Sequence, residues 1–201
     1  MSANEVIEKY FNSLIENGEI EIINFKSNDV IFREGALCKF ACYIIEGVVE
    51  ISTSSFNGTQ EVISVVKEHE FFGQYVLFQQ NSKYLGDVIA KGSVKLIRLS
   101  KNQLLGHLNK NIEFLEAYIT FISKESFNIK QQVKLLSHKN AQDRVIFYLE
   151  NYSKDNICNI SSISSLAKQV NLPRETVSRM ISKLEKSGYI IKDKNRIILR
   201  K

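Results

Sequence analysis

The chain has 201 residues, room for one large domain or two small ones. With 44% hydrophobic and 24% charged residues, one proline and nine glycines, its composition excludes long disorder and a collagen-like chain. The formal charge of +5 suggests an anionic partner but is too small to name one. Cys38, Cys42 and Cys158 cannot all pair within one chain, and their spacing fits no tetrahedral metal frame, so a reducing compartment is expected. No apolar run approaches the ~20 residues of a membrane span. The start, MSANEVIEKYFNSLIENGE, has acids where a signal peptide has bases and an apolar stretch. The expectation is a cytoplasmic protein without a membrane partner.

Val6, Ile7, Tyr10, Phe11, Leu14 and Ile15 recur at helical spacing before Gly18, which predicts an amphipathic helix over 4–16. From Ile20 to Leu99 the period changes. Short runs of Val, Ile, Phe and Tyr alternate with turn signals at SND, REG (33–35), EG (46–47), NG (57–58), FFG (71–73) and KGS (91–93). Short strands at near-regular spacing predict an antiparallel sandwich or barrel. Asn57-Gly58 is the firmest turn, because a type I′ hairpin needs positive φ at both positions and this pair tolerates it.

From about residue 101 a helical pattern takes over. Leu115, Ile119, Ile122, Ser126, Ile129, Val133 and Leu136 alternate at spacings of four and three, as a and d positions do in a coiled coil. No second such stripe exists in the chain, so self-association through 111–137 is expected. Phe114, Tyr118 and Phe121 form another apolar face, better placed to pack on the chain's own β domain.

Charge is uneven along the chain. Residues 139–201 hold 13 Lys and Arg against 6 Asp and Glu, or +7, while residues 1–138 hold 14 against 16, or −2. A basic module behind a near-neutral one predicts an anion-binding head, with nucleic acid as the leading candidate. The predicted division is 1–110, 111–138 and 139–201. Within the last part, AQDRVIFYLENYS reads as a helix. After a short connection, Ser162 caps a second helix with Ile163, Leu166 and Val170 buried, and Ala167 admits a crossing helix. Asn171 takes the left-handed turn, and Pro173 opens a helix over 173–186. Val177, Met180, Ile181 and Leu184 face inward, while Gly188 ends the helix before a hairpin around Asp193-Lys194-Asn195. This is a winged helix–turn–helix, whose second helix enters the major groove.

Arg174, Glu175 and Arg179 share one face of that helix. Arg forks onto guanine O6 and N7, and Glu accepts from the cytosine amino group. Ser178 adds a base or phosphate contact. Ser162, Lys168, Thr176, Lys183 and Lys186 are expected to hold phosphates, as are Lys192 and Lys194 of the wing.

PRETVSRMISKLEKSGYI resembles the recognition helix and wing of the Crp/Fnr family of bacterial transcription regulators. FKSNDVIFREG, YIIEGVVEIS, the NG hairpin and FFG resemble that family's cyclic-nucleotide-binding β-roll, and the long helix resembles its dimerisation helix. The resemblance implies an α+β chain: an antiparallel β-roll (jelly roll) effector domain, a dimerisation helix and a C-terminal winged helix–turn–helix. It implies a homodimer reading a palindromic operator in double-stranded DNA, with RNA polymerase and a small-molecule effector as further partners. It also implies that Arg174, Glu175 and Arg179 read sequence. With Ser178 present, both the Arg-Glu-Arg and Glu-Ser-Arg reading sets are satisfied, so TGTGA-like and TTGAT-like half-sites stay open.

The departures concern the ligand. In FFGQYVLFQQNSKYLGDVIA, Gln74 occupies the place where cyclic-nucleotide binders of the family have Glu, and Tyr84 the place where they have Arg. Lys83 is one residue away, which in a half-buried strand is the opposite face. The effector region, Gly73, Gln74, Tyr84 and Leu85, is therefore not expected to bind cyclic AMP or cyclic GMP tightly. Iron–sulfur members carry an N-terminal cysteine cluster, and here nothing precedes Cys38. A redox role for Cys38 and Cys42 stays open, though Cys42 in FACYII reads as a small core residue. His69 lacks the companions of a haem or cupin site and reads as a loop histidine. No catalytic triad, phosphate-binding glycine loop or paired carboxylates stand out, so neither enzyme activity, a metal nor a cofactor is expected. The competing reading is a ligand- or redox-sensing interaction module that controls a protein partner, with DNA binding secondary.

Overall fold

The computed structural model describes residues 1–54, 58–80 and 82–200. Ser2 and Glu5 cap the opening helix α1 (Ala3–Glu16) reciprocally: the Ser2 N–H donates to Glu5 Oε2 at 2.8 Å and the Glu5 N–H to Ser2 Oγ at 3.3 Å. Its Ile7, Phe11 and Leu14 are buried.

Among the described residues eight strands follow, β1 (Ile23–Phe25), β2 (Val30–Phe32), β3 (Phe40–Glu46), β4 (Val49–Ser54), β5 (Gln60–Val66), β6 (Phe71–Phe72), β7 (Asp87–Ala90) and β8 (Val94–Ser100). They form two antiparallel four-stranded sheets, ordered β1-β8-β3-β6 and β2-β7-β4-β5. Successive strands mostly alternate between the sheets, which makes the body a jelly roll. The predicted sandwich or barrel is thus an antiparallel β-roll. The Asn57-Gly58 turn would join β4 to β5, whose ends pair at Ser54 and Gln60, but Asn57 lies outside the described residues.

In β3 the residues from Ala41 to Ile44 are all buried rather than alternating, because both faces of the strand are covered. On one side Phe11 of α1 lies 4.7 Å from Tyr43, and neighbouring Phe71 lies 5.4 Å from Tyr118 and 5.3 Å from Phe121. The helical stretch expected from about residue 101 is two helices, α3 (Lys101–Lys110) and α4 (Ile112–Ser137). Asn111 breaks it: its backbone is extended, and its Oδ1 accepts the Phe114 N–H at 2.9 Å, replacing a bond the helix would otherwise make. Phe114, Tyr118 and Phe121 are buried in the β-roll core, as their spacing predicts, and Ala117 is buried with them.

A short helix, α2 (Gln74–Leu77), follows β6. The last third forms α5 (Ala141–Tyr152), β9 (Ile157–Asn159), α6 (Ile163–Gln169), α7 (Arg174–Lys186), β10 (Ile190–Asp193) and β11 (Arg196–Leu199). The stretch expected as a plain connection contains β9, which pairs with β11 and makes the wing three-stranded, in the order β10-β11-β9. Two compact units result, Met1–Ile122 and Ser123–Lys201, and the division falls inside α4. The second unit has its own core, including Leu135, Val145, Leu149, Leu166, Val177, Ile181 and Ile197. Among the described residues, no helix is long and apolar enough to cross a membrane.

Candidate nucleic-acid interface and effector region

Ser162 Oγ accepts the Ser165 N–H at 3.0 Å and starts α6, whose Leu166 and Ala167 are buried. Asn171 turns the chain at φ 50°, in the left-handed region that an asparagine tolerates. Leu172 closes the turn with its N–H on Ala167 O at 3.0 Å. Pro173 is the residue before α7 rather than its first residue, and its carbonyl accepts the Val177 N–H at 3.1 Å. Val177, Ile181 and Leu184 fix the inner face of α7, with Met180 partly buried beside them.

The opposite face carries the charge. Arg174, Glu175, Ser178 and Arg179 are exposed and line one open groove together with Ser182. Ser182 was not among the sequence candidates, although it lies one turn beyond Ser178. Among the described residues neither Arg174, Glu175 nor Arg179 makes an ion pair. All three therefore keep their hydrogen-bonding capacity for a partner.

The expected phosphate-holding residues scatter. Ser162, Lys168 and Lys186 are exposed and Thr176 is half-buried. Lys183 lines a different groove, with Met180 and the start of α5 at Asn140 to Asp143. In the wing, Asp193 pairs with Arg196 across the tip, and Lys194 in the tip has φ 48°. Glu185 Oε1 accepts the Lys192 N–H at 3.3 Å, and the Tyr189 hydroxyl donates to Glu150 Oε1 at 2.7 Å, tying the wing to α7 and α5.

In the β-roll, Gly73 opens α2 at φ 78°, where a Cβ would lie 2.6 Å from the Phe40 carbonyl oxygen. Gln74 is 4% exposed, and its Oε1 finds no partner among the described residues. Tyr84 is 5% exposed, stacked on Phe32 with centroids 4.3 Å apart and planes 11° apart, and its hydroxyl donates to Phe40 O at 3.4 Å. Burial holds its phenol far above the ordinary tyrosine range. Leu85, expected beside these residues, stands apart at 71% exposure. In residues 83–86, just before β7, Lys83 and Leu85 face solvent while Tyr84 and Gly86 are buried.

Along α4, Leu115 and Ile122 pack partly against the β-roll core. Ser126 is exposed, as are Ile119 (54%), Ile129 (55%), Val133 (63%) and Leu136 (45%). Cys38, Cys42 and Cys158 are buried free thiols, and burial pushes the Cys42 thiol far up. His69, at φ 64°, hydrogen-bonds the Tyr43 hydroxyl at 3.3 Å and lies 3.8 Å from Glu8. Among the described residues, no group of three or more His, Cys, Asp and Glu is arranged to hold a metal.

Two family models match this arrangement, a cyclic nucleotide-binding domain over residues 22–111 and a Crp-like helix–turn–helix domain over residues 144–201. The chain belongs to the Crp/Fnr family. As a Crp/Fnr chain it is a DNA-binding transcription regulator. The Anaerobic regulatory protein of Bacillus subtilis is 28% identical over 183 residues, covering 85% of this chain and 76% of that relative. The cAMP-activated global transcriptional regulator CRP of Haemophilus influenzae is 24% identical over 156 residues, 74% of this chain and 70% of that one. Among solved Crp/Fnr-type folds, CprK complexed with OCPA superposes with a TM-score of 0.65 at 15% identity, covering 93% of this chain and 88% of that one. The c-di-GMP responsive regulator CLP of Xanthomonas campestris does so at 0.56 and 19%, covering 94% and 99%.

Proposed function

We propose that this Crp/Fnr chain acts as a homodimer that reads an inverted repeat in double-stranded DNA. The observation that carries the reading is the exposed face of α7, where Arg174, Glu175, Ser178 and Arg179 line one groove without ion pairs among the described residues. These four residues read base edges. Ser162, Lys168, Thr176, Lys183 and Lys186 serve the phosphates, with Lys192 and Lys194 adding charge from the wing. The exposed apolar residues of α4 support pairing with a second copy, which would present two α7 helices to major grooves about one helical turn apart, ~34 Å. In this division of labour residues 1–110 sense, 111–138 dimerise and 139–201 bind DNA in the cytoplasm, without catalysis.

The β-roll of this protein does not bind cyclic AMP tightly. Tyr84 is packed into the core on Phe32 and Gln74 is uncharged, so neither supplies the cation that a buried cyclic phosphate requires. Any effector is a different small molecule, and RNA polymerase is the further partner of an activator of this type.

Selection of bound duplexes from a random pool, with Arg179→Ala as control, tests the DNA reading. The expected result is an enriched palindrome that Arg179→Ala binds about ten- to a hundredfold more weakly. Wild type and variant binding alike, with no enriched palindrome, would overturn it. Calorimetric titration with cyclic AMP is expected to give no heat at micromolar concentration, and saturable tight binding would refute the assignment of Gln74 and Tyr84.

A further inference from the structure

We propose that Arg144 is a positioning residue that fixes the helix–turn–helix to the end of α4, acting through backbone carbonyls and not through DNA. Its guanidinium reaches three backbone carbonyls in two segments of the second unit. Nη1 donates to the Asn171 carbonyl at 3.3 Å, and Nη2 donates to the carbonyls of His138 at 3.0 Å and Leu136 at 3.4 Å. Leu136 is in the last turn of α4, whose carbonyls lack intrahelical donors, and His138 lies just beyond the helix end. Asn171 is the left-handed residue of the turn, two positions before Pro173 and three before α7 begins. One side chain thus holds the exit from α4 and the entry to the reading helix.

The residue type follows from this task. A guanidinium offers five N–H donors in a rigid fork, whereas a lysine ammonium at the end of a flexible stem acts as a point charge. The position also has no rationale within α5 alone. Arg144 lies near the N-terminus of α5, where a cation opposes the helix dipole, while the carbonyls it meets are at the negative end of α4. Among the described residues no carboxylate pairs with it.

The rest of the joint is lightly held. Leu135 and Phe147 are buried, the His138 ring lies 4.9 Å from Phe147, and Lys134 Nζ is 5.2 Å from the same ring. However, Gln131 Oε1, His138 Nε2 and Arg144 Nε are shielded from solvent without a partner among the described residues. Polar atoms left in that state weaken a packed joint, so its geometry depends on a few directed bonds.

The test compares full-length Arg144→Gln and Arg144→Lys with wild type. Amide hydrogen exchange in Arg144→Gln should quicken about tenfold at 137–141 and 171–172, while the amides of Val177, Ile181 and Leu184 keep their protection. Affinity for the selected operator should fall about tenfold. Discrimination against an operator with one base pair inserted between half-sites should also shrink, because loosened heads accept altered spacing. Binding to random duplex should keep its salt dependence, since no phosphate contact is lost. Arg144→Lys should lie between the two. Unchanged exchange and unchanged spacing discrimination would overturn the proposal. A uniform rise in exchange through α7 would do so too, by showing a merely structural role, and a shallower salt dependence would reassign Arg144 to phosphate contact. The spacing measurement rests on the proposed operator reading. If wild type selects no operator, that reading has failed, and the exchange data alone decide on Arg144.

Discussion

Gly73 ends the β6 turn at φ 78° with the Phe40 carbonyl against the space where a Cβ would go. Gly73→Ala meets both obstacles, an unfavourable backbone region and a backbone oxygen that cannot swing away. It should cost about 2 kcal/mol or more, read as a lowered urea midpoint at unchanged slope. Tyr84 depends on the same neighbourhood, since its hydroxyl bonds the same Phe40 oxygen and its ring covers Phe32. Tyr84 is buried and Lys83 exposed, as the sequence reading expected, but not within a strand: both lie before β7, and Lys83 makes only an isolated bridge to Leu37. Leu85, grouped with Tyr84 in the sequence reading, faces solvent beside it.

Among the elements, the helix–turn–helix was the most legible, because each local choice in it agrees with the next. Ser162 caps, Asn171 turns, Pro173 precedes a helix, and Val177, Ile181 and Leu184 keep one face. Ser162→Ala should cost about 1 kcal/mol through the lost Ser165 N–H bond, measured as a drop in thermal stability with α7 chemistry untouched. At Asn171, glycine should be tolerated, whereas Asn171→Val should lower stability by about 1–2 kcal/mol because a β-branched residue resists the left-handed region. Other features were hidden, the short helix α2 among them. β9 has only three residues and owes its extended form to pairing with β11, a non-local partner that no window around Ile157 reveals. The break at Asn111 was hidden by a helical pattern read as continuous from about residue 101, although the predicted division falls there; the extended Asn111 backbone ends one helix and its side-chain bond to the Phe114 N–H starts the next.

For the whole molecule, the proposed dimer joins charge to the α4 stripe. A pair of chains would bring two heads of +7 each to DNA, so random duplex should bind in a strongly salt-dependent manner. In such a pair, specific affinity would rest on both heads joined, because the second contact then occurs at a high effective concentration. Ile129→Asp with Val133→Asp places charges on exposed apolar positions of α4 and should give monomers by analytical ultracentrifugation. Operator affinity should then fall by about two orders of magnitude or more, while each head keeps its weak, salt-sensitive binding. A doubly substituted chain that stayed dimeric would remove α4 as the seam.

Leu135 is 1% exposed and belongs to the core of the second unit although it is carried by α4. Anyone grafting this head onto another sensor inherits a rule about where to cut. A junction at residue 139, where the charge changes, would leave that core without the leucine, a loss comparable to the 2–5 kcal/mol of a buried Leu→Ala change. A junction near residue 122, inside the helix, takes the leucine along. The better hybrid is therefore joined within a continuous helix, with the two parents kept in helical phase.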